Sequence, residues 1–200
     1  MGRDRGPKHK LSRREGKDLF GTGGQSLERR LTQPPGMHTQ KRPRRASVYA
    51  EQLREKQKVK RMYGLREEQF RRLVSTAVKT KEQTGLALLR LLERRLDNVI
   101  YRLGLARSRP QARQLVTHGL IRVNGQRINI PSYMVVPGEE IAIKDNARKI
   151  PDVQELIESP PYVPGWLERR DGGGMVLREP NRDEIDQDIN EQRIVEFYSR

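Results

Sequence analysis

The apolar residues of the chain follow a helical period from about residue 47 to residue 118. Ser47 has the features of an N-cap and Gly64 those of a helix stop, which predicts a helix between them. Residues 66–79 place apolar side chains at i, i+3, i+4, i+7 and i+8, the spacing of an amphipathic helix. A third helical stretch begins at Leu86, and its leucines form the most apolar surface of the chain. We expect this stretch to form the junction between two packed subdomains.

Two further helices are predicted between residues 96 and 118. The apolar positions of residues 96–103 repeat with helical spacing, and Gly104 ends that stretch. Ser108 and Gln111 have the spacing of a capping box, and Gly119 supplies the next stop. The two helices therefore follow one another closely along the chain, with arginines on their polar faces.

The period changes to that of strands after residue 120. Residues 121–123 alternate apolar and polar side chains, and Asn124-Gly125 is a strong two-residue hairpin signal. Residues 127–130 supply the second strand and residues 140–143 a third. We therefore predict a two-helix, three-strand module and an α+β protein.

The first 45 residues carry weaker signals. Ser12 and Glu15 have the spacing of a capping box, which predicts a short helix through Phe20. The glycine-rich residues 21–24 then break the chain, as do residues 33–36. Short helical pieces joined by loops are the interpretation we favour, and a disordered basic tail is the alternative. We also expect the glycine-rich residues 172–174 to be a flexible connection.

Composition narrows the class of protein. Hydrophobic residues make up only 34% of the 200 residues, so the core must be thin. The chain has no cysteine, which excludes a disulfide framework, a thiolate zinc site and a cysteine nucleophile. The longest unbroken aliphatic run is residues 86–89. We therefore expect a protein of the reducing cytosol that is neither secreted nor membrane-spanning.

The charge of +15 is distributed as a gradient. Residues 1–80 carry 22 basic and 8 acidic side chains (+14), residues 81–150 carry 13 and 6 (+7), and residues 151–200 carry 6 and 12 (−6). A surplus of this size predicts a polyanionic partner for the first three quarters of the chain. Arginine presents a fixed fork of donors that suits phosphate. Because the aromatic residues are few and scattered, with no paired platform for stacking bases, we expect contacts to phosphate groups rather than base stacking.

The sequence gives little support for a catalytic site or a metal-binding site. Asp97 stands in an Arg-Leu-Asp triplet similar to that around the catalytic aspartate of pseudouridine synthases, but it lies inside an amphipathic helix. We interpret it as an aspartate paired with a neighbouring arginine. Asp186, Asp188 and Asn190 resemble the start of a calcium loop, but Glu191 stands where glycine is required. We predict that the protein is not an enzyme and holds no metal.

One run of the sequence carries a specific resemblance. Residues 94–133, RRLDNVIYRLGLARSRPQARQLVTHGLIRVNGQRINIPSY, resemble the RNA-binding module named after ribosomal protein S4 of the small subunit. Residues 6–20, 49–64 and 189–200 resemble the flanking parts of the bacterial S4 family. The resemblance implies a mostly helical N-terminal domain (1–91), the inserted module (92–155) and an acidic C-terminal extension (156–200) that packs back on the N-terminal domain.

The resemblance also implies a function and a set of contacts. Family members are primary binders of small-subunit ribosomal RNA that grip a multi-helix junction in the 5′ domain, nucleate assembly and contribute to translational accuracy. The RNA-binding positions implied here in the N-terminal part are Lys8, Lys10, Arg13, Arg14, Lys17, Arg54, Lys56, Lys58 and Arg61. Those implied in the module are Arg94, Arg95, Arg102, Arg109, Arg113, Gln114, His118, Arg122 and Asn124. The stretch implied to face the path of messenger RNA into the subunit contains Lys41, Arg42, Arg44 and Arg45.

Further implications concern partners and location. The acidic tail is either a solvated helix packed on the basic body or a docking surface for ribosomal protein S5. Many relatives bind zinc through four cysteines in the first 45 residues, and this chain has none, so we expect no cofactor. The expected location is the ribosome in the cytoplasm, with no membrane contact. An RNA-modifying enzyme and a stand-alone stress or repressor RNA-binding protein are the alternative functions. We expect replacement of Arg109 and Arg113 by alanine to weaken RNA binding and leave thermal stability almost unchanged.

Overall fold

The first part of the chain is helical, and the rest contains both helices and strands. In this computed structural model, which describes residues 6–21, 23–36, 46–159 and 161–199, the protein is α+β. The first helices are α1 (Lys8–Glu15), α2 (Gln25–Glu28), α3 (Val48–Met62), α4 (Glu67–Val78) and α5 (Thr84–Glu93). The elements that follow are α6 (Leu96–Arg102), α7 (Arg109–Thr117), β1 (Ile121–Val123), β2 (Gln126–Ile128), β3 (Glu140–Ile143), α8 (Asp145–Arg148), α9 (Pro151–Glu158), β4 (Leu167–Arg170), β5 (Gly173–Val176), a 3₁₀ turn (Arg182–Glu184) and α10 (Glu191–Tyr198).

The predicted helix ends are confirmed where a local signal was strong. Ser47 caps α3, since its hydroxyl oxygen accepts a hydrogen bond from the Ala50 N–H at 3.2 Å. The capping box predicted at Ser12 is wrong. Helix α1 has already begun at Lys8, Ser12 is buried inside it, and the Ser12 hydroxyl accepts from the Leu19 N–H instead. Because Gly16 adopts a left-handed conformation, with φ of 67°, the helix stops well before Phe20.

The cap of α7 also differs from the prediction. Ser108 does occupy the N-cap position, but its side chain makes no capping hydrogen bond. The Gln111 side chain accepts a hydrogen bond from the Arg107 N–H at 2.8 Å, one residue earlier than a capping box requires. The helix start was therefore predicted correctly and its capping contact was not.

The sheet contains the predicted hairpin and two strands that the sequence pattern did not predict. Its order is β2-β1-β3-β5-β4, and every neighbouring pair is antiparallel. Asn124 and Gly125 both have positive φ, 49° and 79°, as a type I′ turn requires. The expectation of a flexible connection at residues 172–174 is wrong. Gly173 and Gly174 lie buried in β5, where a Cβ on Gly173 would come within 2.3 Å of the Ile141 carbonyl oxygen.

Two hydrophobic cores support these elements. The first lies among α3, α4, α5 and α10 and includes Phe70, Leu88 and Ile194. The second lies between the inner face of the sheet and helices α6 and α7, and includes Ile100 and Trp166. Residues beyond 156 contribute to both cores, since β4 and β5 extend the sheet and α10 packs on α3. The domain boundaries at 91 and 155 stay a prediction.

Candidate nucleic-acid interface

Two clefts lie where residues 6–21 approach the paired helices α6 and α7. The larger has a volume of about 420 Å³ and the smaller about 180 Å³. The larger is lined by side chains from the N-terminal part and from the module, and those implied to bind RNA are Lys8, Arg61, Arg109, Arg113 and Gln114. Lys17, Arg102 and Arg109 line the smaller one. The fold therefore brings together cations that are up to about a hundred residues apart in sequence.

Arg109 lines both clefts. Its guanidinium carbon lies 4.7 Å from the ring centroid of Tyr63 and 4.6 Å from that of Tyr101, so two aromatic faces stabilise its charge. Nε donates to the Asn98 side-chain oxygen at 2.8 Å. Nη2 is buried and makes no hydrogen bond within the described structure; it lies 3.7 Å from the carboxylate of Asp186. The guanidinium is thus held in place by two aromatic rings, Asn98 and Asp186 where the two clefts meet.

A buried carboxylate holds two other arginines of the module. Asp97 accepts from Arg95 Nε at 3.1 Å and Nη2 at 2.7 Å, and from Arg113 Nη1 at 3.2 Å. The prediction that Asp97 pairs with a neighbouring arginine is confirmed, and this pairing argues against a nucleophile. The expectation that Arg113 can be replaced without loss of stability is not supported. Its side chain is only 10% exposed, and removing one partner of a buried ion pair costs about 3–5 kcal/mol.

A second buried carboxylate joins the N-terminal part to the module. Glu93, at the end of α5, is fully buried and accepts from Tyr63 Oη at 2.5 Å and Asn98 Nδ2 at 2.7 Å. Arg102 donates to it twice, at 2.9 and 2.8 Å. Burial alone would raise the pKa of Glu93, but Arg102 and the other donors hold that pKa below its ordinary value. Burial beside Glu93 raises the pKa of the Tyr63 hydroxyl, so Tyr63 stays a hydrogen-bond donor.

The boundary between these two parts coincides with a boundary between known families. Residues 3–93 match the family described as ribosomal protein S4/S9 N-terminal domain, and residues 94–141 match the S4 domain. Three curated relatives carry the name small ribosomal subunit protein uS4. They come from Herpetosiphon aurantiacus (51% identical), Thermus thermophilus (49%) and Geobacillus stearothermophilus (48%), and in each case the similarity covers 100% of both chains. The chain belongs to the ribosomal protein S4 family.

Several family-implied RNA contacts on α3 are engaged within the protein. Arg54 and Arg61 both pair with Glu15 of α1, whose burial raises its pKa despite these two cations. Lys56 is buried, pairs with Glu67 at 2.8 Å and lies 4.7 Å from the Phe197 ring centroid. Whether these side chains also bind RNA stays a prediction.

Other implied positions lie apart from the clefts. Lys58 pairs with Glu55, and Arg94 donates to Glu179 at 2.6 Å on the side facing the C-terminal segment. The Asn124 side chain accepts from the Glu140 N–H at 2.9 Å, which supports the hairpin. The exposed positions outside the clefts are Lys10, Arg14, His118 and Arg122. Lys41, Arg42, Arg44 and Arg45 lie outside the described residues.

Sequence reasoning missed the residues that hold these arginines. Tyr63, Tyr101 and Asp186 contact Arg109 from three different segments, and no local pattern links residues so far apart. Glu93 did carry a signal. It is the one acidic residue of the most apolar helix in the sequence, and a carboxylate on such a helix is buried only when it has partners.

The described residues show neither a candidate metal cluster nor a membrane span. They contain no group of three His, Asp or Glu side chains that could hold a metal ion, and the chain has no cysteine, so its residues do not fit the zinc site of some relatives. None of the helices in the described ranges is long and apolar enough to cross a membrane.

Proposed function

We propose that this chain is a structural, non-enzymatic component of the small ribosomal subunit, located on the ribosome in the cytoplasm, that binds small-subunit ribosomal RNA. The observation that carries the proposal is the pair of clefts in which the N-terminal part and the S4 domain present cations together. The name of the curated relatives supports the same assignment.

The RNA bound by this surface is a folded junction in the 5′ domain. Two basic elements fixed relative to each other by Glu93 read the arrangement of several RNA helices, which a single duplex does not reproduce. Binding at a junction orders the surrounding RNA helices, and this is how the protein nucleates assembly. The basic stretch of residues 41–45 binds messenger RNA on its way into the subunit, which links the protein to translational accuracy.

The C-terminal segment supplies the contact with ribosomal protein S5. Part of its acidic charge is used internally, because Asp188 pairs with Lys17 and Glu191 with Arg182. The docking surface therefore consists of the side chains of α10 that face away from α3, including the exposed Gln192, together with the exposed Asp183. The protein does this without zinc, since the chain has no cysteine that could bind it.

The salt dependence of RNA binding tests the proposal. Each phosphate that a cation neutralises adds about 0.7–0.9 to the slope of log affinity against log salt. Replacing Lys8, which lines the larger cleft, by alanine should lower the slope measured on a small-subunit RNA fragment by about 0.7–0.9. The matched control replaces Lys144, which lines neither cleft, by alanine and should leave the slope unchanged. A wild-type affinity that does not depend on salt would contradict the proposed mechanism.

A further inference from the structure

One arginine of α1 closes a turn that is otherwise poorly held. Arg13 Nε donates to the carbonyl oxygens of Arg30 at 3.2 Å and Gln33 at 3.0 Å, and Nη2 donates to that of Pro34 at 3.2 Å. Three carbonyls that end a turn thus converge on a single guanidinium. A cation at the carbonyl end of a helical turn is favourable both by charge and by hydrogen bonding.

Little else in the described chain holds residues 23–36 in place. Helix α2 is a single turn, too short to be stable alone. Leu27 is the only residue of this segment that is buried. A hydrogen bond from the Gly23 N–H to Asp18 at 3.0 Å ties the beginning of the segment. The position of residues 29–34 therefore depends on Leu27 and on the guanidinium of Arg13.

We call the three hydrogen bonds from Arg13 the clamp. The clamp brings residues with unpaired cationic side chains beside α1. The side chains of Arg29 and Arg30 are exposed and make no hydrogen bond or ion pair with any described residue, although the Arg30 carbonyl is held by Arg13. Lys10 and Arg14 lie one turn apart on α1, also exposed and without such partners among residues the structure describes. We name these four side chains the α1–α2 basic surface. Because Arg13 binds the Arg30 carbonyl, the segment that carries Arg29 and Arg30 lies beside the helix that carries Lys10 and Arg14, and this local excess of positive charge favours an anionic ligand.

The chemistry of the surface favours RNA over an acidic protein. Arg29 and Arg30 present forked donors that match phosphate. Protein interfaces have an apolar or aromatic centre, and the exposed neighbours of these arginines, Glu28 and Thr32, supply none.

We propose that Arg13 is a positioning residue for RNA binding. Its guanidinium folds residues 23–36 onto α1 and so places Arg29 and Arg30, which bind phosphate groups of the RNA. Arg29 and Arg30 are not among the RNA-binding positions that the family resemblance implies. Arg13 is among them, and its role here is to position the other two. The inference rests on the proposed function, since the RNA is the small-subunit RNA named there.

Hydrogen exchange in the free protein tests the clamp without RNA. The amides of Arg30, Leu31 and Gln33 donate to carbonyls within the turn, to Leu27, Glu28 and Arg30 respectively, and serve as reporters. Arg13→Ala should speed their exchange at least about tenfold, which corresponds to easier opening by about 1.4 kcal/mol. Arg14→Ala, the adjacent exposed arginine of the same helix, is the matched control and should leave the rates unchanged. Rates within about twofold of wild type in Arg13→Ala would overturn the clamp.

The salt dependence of RNA binding tests the second half of the inference. The double variant Arg29→Ala/Arg30→Ala should lower the slope by about 1.4–1.8, with unchanged exchange in the core. Arg13→Ala alone should lower the slope by a similar amount, and adding it to the double variant should lower it no further. A further decrease of the slope in the triple variant would mean that Arg13 contacts RNA itself and would overturn its positioning role.

The remaining outcomes separate this inference from the proposed function. A double variant that keeps the wild-type slope but no longer enters reconstituted small subunits would overturn the RNA assignment in favour of a protein partner. A wild-type protein without salt-dependent binding to small-subunit RNA would contradict the proposed function itself, and the exchange experiment would still report on the clamp.

Discussion

The carboxylate of Glu93 provides the sharpest test of how the two parts of the protein are held together. Its two oxygens accept four hydrogen bonds from Tyr63, Asn98 and Arg102, and it has no exposure to water. We consider Glu93→Gln, which keeps the size of the side chain and removes its charge. Each carboxylate oxygen receives one Arg102 donor, so the amide nitrogen faces a guanidinium N–H in either orientation of the new side chain.

The expected cost follows from burial. Removing one partner of a buried ion pair leaves the other charge without compensation and costs about 3–5 kcal/mol. Asp186, 3.4 Å from Arg102, is one third exposed and replaces little of the lost interaction. At about 2–4 °C per kcal/mol for a chain of this size, Glu93→Gln should lower the melting temperature by about 6–20 °C.

A surface ion pair supplies the control for this measurement. Glu82 pairs with Arg90 at 2.7 Å and is about half exposed, so Glu82→Gln should change the unfolding free energy by less than about 1 kcal/mol. Both variants are measured by thermal and urea unfolding at neutral pH. If Glu93→Gln costs no more than Glu82→Gln, the buried network does not hold the N-terminal part against the module, and our reasoning about Glu93 is refuted.

Two further predictions concern stability. Burial raises the pKa of Glu67, but hydrogen bonds from Lys56 and Tyr198 lower it to about 2, below its ordinary value of 4.5. A carboxyl group whose pKa is lowered by folding stabilises the folded state at pH values above its unfolded pKa. The unfolding free energy should therefore fall as the pH drops from about 4.5 to about 2. An unfolding free energy from urea titrations that stays constant over this range would contradict the prediction. Gly173→Ala places a methyl group against the backbone of β3 and should lower the unfolding free energy by about 1–3 kcal/mol. The control is Gly24→Ala, whose methyl group would have no neighbour within 4 Å, and it should lower the unfolding free energy much less. Equal melting temperatures of the two variants would disprove the steric argument.

Local patterns predicted most helices and the hairpin because the relevant signals lie within a few residues of each other. The cap at Ser47 and the turn at Asn124-Gly125 are of this kind. Strand β5 was missed because its glycines were interpreted as a flexible connection; they pack against the neighbouring strands and against Leu103. The pattern of a strand was absent there, since glycine has no side chain to alternate.

The residue types of the candidate site could be predicted from the sequence, but the partners of those residues in the fold could not. The arginines of α6 and α7 stood out in the sequence, but their partners did not. Arg102 meets Asp186, 84 residues away, and Arg13 meets carbonyls about 20 residues away. Backbone carbonyls have no sequence signature, so a cation that folds the chain looks in sequence like one that binds RNA.

Hydroxyl-radical footprinting of the wild-type protein on small-subunit ribosomal RNA tests the central claim most directly. Because the clefts join two basic elements in a fixed arrangement, we expect protection confined to one multi-helix junction of the 5′ domain, and loss of that protection at high salt. Protection spread over any RNA duplex, or none at all, would contradict the claim that this fold recognises a specific junction.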